Sequence, residues 1–125
     1  MVQPGQDPHQ YRHIDPSALL QAVGGDARTV ASLARTFADS APEIFARLAR
    51  AVGEGNAEAA RHESHALKGM SALFNARALT EQLQQTEAAA RAGSLPAPEQ
   101  WTQLQASFEQ ALEEIRRYAQ SASAA

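Results

Sequence analysis

Residues 57–74 read AEAARHESHALKGMSALF, and the way they fall on a helix decides the reading of the whole chain. At about 100° per residue, Ala60, Ser64, Leu67, Ser71 and Phe74 share a sector about 80° wide, with Met70 at its margin. That is one apolar stripe of an amphipathic helix. Glu58, Arg61, His62, His65, Lys68, Gly69 and Ala72 occupy the other side. His65 therefore points nearly opposite to Leu67 and Phe74, toward water.

A glycine inside a helix costs about 1 kcal/mol relative to alanine, so Gly69 asks for a reason. On the helix surface the neighbours of His65 at i+4 and i+7 are Gly69 and Ala72. Neither has a side chain beyond a methyl, and Lys68 at i+3 flanks the same strip. The result is an exposed imidazole beside bare backbone, with a cation in reach. His62 also faces water, but its i+4 neighbour is Ala66 and no clearing adjoins it. Ser71 lies toward the stripe, where its hydroxyl is expected to bond back to a helix carbonyl.

The same periodicity runs outward in both directions. Asp15 and Pro16 form an N-cap with proline at the first helical position, opening a short helix that stops at Gly24-Gly25. Asp26 caps a second helix with Val30, Leu33, Phe37 and Ala41 at three- and four-residue spacing. Ser40 and Glu43 in SAPE form a capping-box pattern around Pro42, which implies a new helix or a kinked continuation carrying Ile44, Phe45, Leu48 and Val52. Gly53 and Gly55 end it, and Asn56 caps the helix of His65. A further helix carries Leu79, Leu83 and Ala90 before Gly93. After SLPAP the last one aligns Trp101, Leu104, Phe108, Leu112, Ile115 and Ala119. Its polar residues, in EQALEEIRRYAQ, are expected to form a solvated face with i, i+3 and i+4 pairs. Nothing alternates with period two. The chain is expected to be all-α, an antiparallel four-helix bundle with a short accessory N-terminal helix.

Residues 1–13, MVQPGQDPHQYRH, are polar, lack periodicity and are expected to be a disordered tail or linker ahead of a domain spanning 14–121. One domain fits a length of 125 residues. The absence of cysteine rules out disulfides, thiolate nucleophiles and cysteine-ligated metals. A net charge of −3 offers no basic footprint for nucleic acid. No apolar run approaches the roughly 18 residues of a membrane span, and the first residues lack a signal-peptide h-region. A cytoplasmic, soluble protein is expected. HESH is not a zincin spacing, and no histidine has a glutamate three residues before it, as di-iron bundles require. No metal site is expected. The aromatic residues Phe37, Phe45, Phe74, Trp101 and Phe108 read as core.

ESHALKGMSALFNA resembles the motif of histidine-containing phosphotransfer (HPt) domains, an exposed histidine followed by Leu-Lys-Gly and small residues. The resemblance extends through GGDARTVASLARTFADSAPEIFARLARAVGEGNAEAARHESHALKG, with its Gly-Asp cap, Pro-Glu and Gly-Asn cap, and through LTEQLQQTEAAARAG, so that it covers roughly residues 14–120. One departure is Asn75, where the family commonly has glycine. Asparagine tolerates a left-handed conformation better than most residues, so the turn is expected to be kept.

The resemblance implies that His65 accepts a phosphoryl group from a receiver-domain phospho-aspartate and passes it to another receiver. A neutral imidazole is a good nucleophile near neutral pH, and phosphoryl transfer needs in-line approach and charge neutralisation more than a base. Within that scheme Lys68 offsets the charge of the transferring group and Gly69 admits the partner's active-site loops. Arg61, His62 and Ala72 border the approach. The protein is then a phosphocarrier without kinase activity and with no cofactor of its own, the Mg²⁺ coming from the receiver. Its partners are response-regulator receivers and a hybrid sensor kinase, and a monomer is expected. The competing reading is a helical adaptor that binds receivers without transferring phosphate.

Overall fold

The structure, a computed structural model, describes residues 11–124. It is all-helical, with five helices and, among the described residues, no strand: α1 (Ser17–Ala22), α2 (Ala27–Gly53), α3 (Ala57–Leu73), α4 (Arg77–Arg91) and α5 (Pro98–Ala124). α3 packs on α2 and α4, α5 packs on α2 and α4, and α1 lies against α2. No helix among the described residues is long and apolar enough to cross a membrane.

Local chemistry sets the helix ends. Asp26 and Asn56 cap α2 and α3, accepting from the backbone N–H of Arg28 and Ala59. Pro16 is the N-cap of α1, one residue later than Asp15. The Asp15 carboxylate still supplies the cap bond, accepting from the N–H and hydroxyl of Ser17. At the end of α3, Asn75 adopts φ 53°, and the N–H groups of Asn75 and Ala76 return to the carbonyls of Ala72 and Ser71. That is a Schellman ending with asparagine in the left-handed seat that Gly55 fills after α2. The turn is kept, as expected.

Pro42 lies inside α2, so the SAPE pattern opens no new helix. Proline removes one helical hydrogen bond, a cost of about 3 kcal/mol. Against it, the buried residues Phe37, Ala41, Phe45 and Leu48 remain in one register only if the helix runs through. Burial of aromatic and aliphatic side chains at about 1.5–3 kcal/mol each outweighs the loss.

The stripes read from the sequence meet in one core. Leu48, Leu67, Phe74, Leu79, Leu83, Leu104 and Ile115 are fully buried, and Phe37 meets Phe74 edge-on at 5.8 Å. Phe45 of α2 stacks on both Trp101 and Phe108 of α5, with centroids 5.1 and 4.3 Å away.

Two expectations need correction. Residues 1–10 of the expected tail lie outside the described residues, but Tyr11, Arg12 and His13 do not behave as tail. Tyr11 and Ile14 are buried, Tyr11 packs on Tyr118, and the Arg117 guanidinium lies 5.3 Å over its ring. The N–H groups of Arg12, His13 and Ile14 all donate to Glu114, at 3.1, 2.8 and 3.1 Å. Glu114 was expected on a solvated face of α5. It is only 5 % exposed, because three backbone donors replace the water its carboxylate gives up.

Candidate functional site

α3 carries the candidate site, and its turns stack as the helical wheel requires. Ala60, Ser64, Leu67, Ser71 and Phe74 are buried. The Ser64 hydroxyl donates to the Ala60 carbonyl. That of Ser71 donates to the Lys68 carbonyl and pairs with Thr80. These bonds satisfy the hydroxyls inside the stripe. The opposite surface is open. Gly69 and Ala72 are exposed, and a Cβ built on Gly69 meets no atom within 4 Å beyond the adjoining backbone of its own helix. The strip ends at Leu73, the exposed large hydrophobic residue among those described, 49 % accessible. A groove of about 440 Å³ follows between α3 and α4, running from Lys68 and Ala72 to Thr80 and Gln84.

The His65 side chain is 68 % exposed, yet it is not free. Its Nδ1 lies 2.9 Å from Oε2 of Glu87 on α4. Glu87 itself is 2 % exposed and gathers three nitrogenous groups. Oε1 meets the Lys68 ammonium at 2.7 Å, and Oε2 meets the Arg91 guanidinium at 3.1 Å as well as His65. Lys68 also donates to Gln84 at 2.7 Å. The bond from Lys68, then that from His65, holds the Glu87 carboxyl below its ordinary range, against the desolvation that burial imposes. A carboxylate so held is acceptor-only.

His65, Lys68, Gly69 and Ala72 are thus brought together on one surface. Lys68 is turned inward onto Glu87 and Gln84 rather than standing loose beside the imidazole. Arg61 is half-buried and His62 exposed. They border the site one turn toward the N-terminus of α3 and do not join the Glu87 network. A second acid on α3, Glu63, is 8 % exposed and takes the Arg47 guanidinium of α2 at 2.9 Å. Among the described residues no three acidic or histidine side chains cluster as a metal site.

Glu87, Gln84 and Arg91 are the members of this group that the sequence reading passed over. A signal existed. Glu87 stands four residues after Leu83 and three before Ala90, inside the apolar register of α4, where a lone acid needs a partner to be buried.

A family model described as Hpt domain matches residues 32–118, which includes all of α3 and α4. Comparisons with curated proteins and with solved structures find no match. An all-helical chain, an exposed histidine on the helix surface beside a glycine, and a family match across most of its length agree: the chain belongs to the Hpt domain family, the histidine phosphotransfer modules of phosphorelays.

Proposed function

We propose that His65 is the phosphoryl acceptor of this domain, taking the group from a receiver-domain phospho-aspartate and passing it to another receiver. The observation that carries this reading is the exposed imidazole set beside the open backbone at Gly69 and Ala72. A receiver can bring an aspartyl phosphate in line with a ring that nothing overhangs. Lys68 and, through Glu87, Arg91 supply positive potential for the transferring group. The Mg²⁺ belongs to the receiver, and this chain acts as carrier rather than kinase. The scaffold is an antiparallel four-helix bundle, to which the short connections between α2, α3, α4 and α5 are suited. A monomer working in the cytoplasm, with a small and transient interface to each partner, fits a protein that must release its receiver after every transfer.

The test is incubation with a phosphorylated receiver, scored for an acid-labile, base-stable phosphate. The wild-type chain takes the label and His65→Gln does not, with helical content by circular dichroism the same in both. Full labelling of His65→Gln would move the acceptor elsewhere. No label on the wild type from a panel of receivers would favour the adaptor reading.

A further inference from the structure

The segment of residues 11–15 does more than close one end of the bundle. Its backbone is pinned twice, by Glu114 of α5 and by the Phe74 carbonyl, which takes the Asp15 N–H. Between this segment, the Asn75 turn and the first turn of α4 lies an open cavity of about 690 Å³. That volume falls in the range of small-molecule sites. None of its lining residues belongs to the group around Glu87, and the segment lies outside the residues 32–118 that match the family model.

The lining carries more positive than negative charge. Arg12 of the segment and Arg77 of α4 both line the cavity with exposed side chains, and the half-buried His13 adjoins them. One carboxylate is present, that of Asp15, and it accepts from the N–H and hydroxyl of Ser17 in its own segment. Glu114 engages Arg12 and His13 through their main-chain N–H groups.

Two independent features of the same wall point to an acceptor from outside the chain. Tyr11 is 7 % exposed and lines the cavity, yet its hydroxyl has no hydrogen-bond partner among the described residues. Burial pushes its pKa up to about 12, so the group stays a donor, and a buried donor without an acceptor is destabilising. Arg77 and Ala78, which also line the cavity, open α4. The N-cap there, Ala76, supplies no side-chain bond, and the first turn contains no acid. Uncapped N–H groups at the positive end of a helix favour an anion.

We infer that this cavity is an anion-binding site, taking a small molecule through a phosphate or carboxylate group. Arg12 and Arg77 supply the charge, and the Tyr11 hydroxyl and the first turn of α4 supply neutral donors. The site stands whether or not His65 is the phosphoryl acceptor. Asn75 and Arg77 also line the groove that continues the Gly69–Ala72 strip, so an occupant sits against residues that border the histidine surface.

The test is titration of the nitrogen-15-labelled full chain with pyrophosphate and, separately, with succinate at constant ionic strength, read from the backbone amide resonances. At least one probe should give saturable shifts at Arg77 and Ala78, with a Kd of about 1 mM or tighter. Arg12→Gln and Arg77→Gln should each weaken binding by about tenfold, the loss of one charge-assisted bond, with the Tm of the free chain unchanged. Tyr11→Phe should weaken it severalfold while leaving the free chain no less stable, because the lost hydroxyl has no bond to forfeit. Saturation by pyrophosphate alone assigns a phosphorylated compound, by succinate alone a carboxylated one, and by both the oxyanion itself. Shifts that grow linearly with both probes overturn the inference. So does undiminished affinity in either arginine variant or in Tyr11→Phe. If Tyr11→Phe fails to fold, the two arginine variants, altered at exposed side chains, still decide.

Discussion

Glu114 and Ile14 are a hundred residues apart in the chain and 3.1 Å apart in the fold. One carboxylate on α5 thereby collects the segment that leads into α1, taking Arg12 on one oxygen and His13 and Ile14 on the other. The next N–H, that of Asp15, goes to the carbonyl of Phe74 at the end of α3. The segment so bridges the last helix to the histidine helix.

Glu114→Ala leaves three backbone donors without an acceptor and should lower unfolding stability by about 2–3 kcal/mol. Glu114→Gln keeps one accepting oxygen and should lose less. Urea denaturation checks both, and equal stabilities for wild type and Glu114→Ala would refute this account of the segment.

Gly69 is the position where stability and access are set against each other. Gly69→Ala should gain about 0.5–1 kcal/mol, since beyond the adjoining backbone of its own helix no atom lies within 4 Å of the added carbon and the helix prefers alanine. Gly69→Leu should fold at least as well as the wild type while its rate of phosphate acceptance falls sharply. A raised Tm together with undiminished transfer would show that the clearing is not needed.

Asn75 holds φ 53° in the Schellman ending of α3. A β-branched residue there suffers the left-handed penalty, so Asn75→Val should cost about 1–2 kcal/mol. Asn75→Gly should be neutral or stabilising by up to about 1 kcal/mol. Thermal melts separate the two, and Asn75→Val as stable as Asn75→Gly would deny the turn its role.

Glu87 gives a signed dependence on pH. Its carboxyl titrates below the ordinary 4.5, chiefly because of Lys68, so the folded state binds that proton less readily than the unfolded chain. The stability this contributes is fully present above 4.5 and is lost as pH falls through the lower, folded value. The difference in Tm between wild type and Glu87→Gln should therefore shrink as pH falls below 4.5. A difference independent of pH down to 3 would contradict it.

The apolar periodicity was legible because the buried side chains of α2, α3 and α5 repeat at three- and four-residue spacing, and the exposed face of His65 followed from it by subtraction. What escaped was acidic. Glu63, Glu87 and Glu114 each occupy a position three or four residues from core side chains of their own helix. Each is buried because another element brings it donors: Arg47 from α2, His65 and Lys68 from α3, and the backbone of residues 12–14. A pattern of apolar residues sees only the helix on which a side chain sits, while a buried carboxylate is decided by what arrives from outside that helix. At Pro42 the local pattern left a new helix and a continuation both open, and Phe45 and Leu48 staying in register with Phe37 decide for the continuation.

The ring stack of Trp101, Phe45 and Phe108 joins α2 to α5, and Trp101 is the chain's single tryptophan. The groups around His65 all come from α3 and α4. The protein thus contains an intrinsic fluorophore whose emission follows the seam between two helices that contribute nothing to the histidine surface. Loss of the fold can be watched optically in every variant of the site without a label and without disturbing the groups under test.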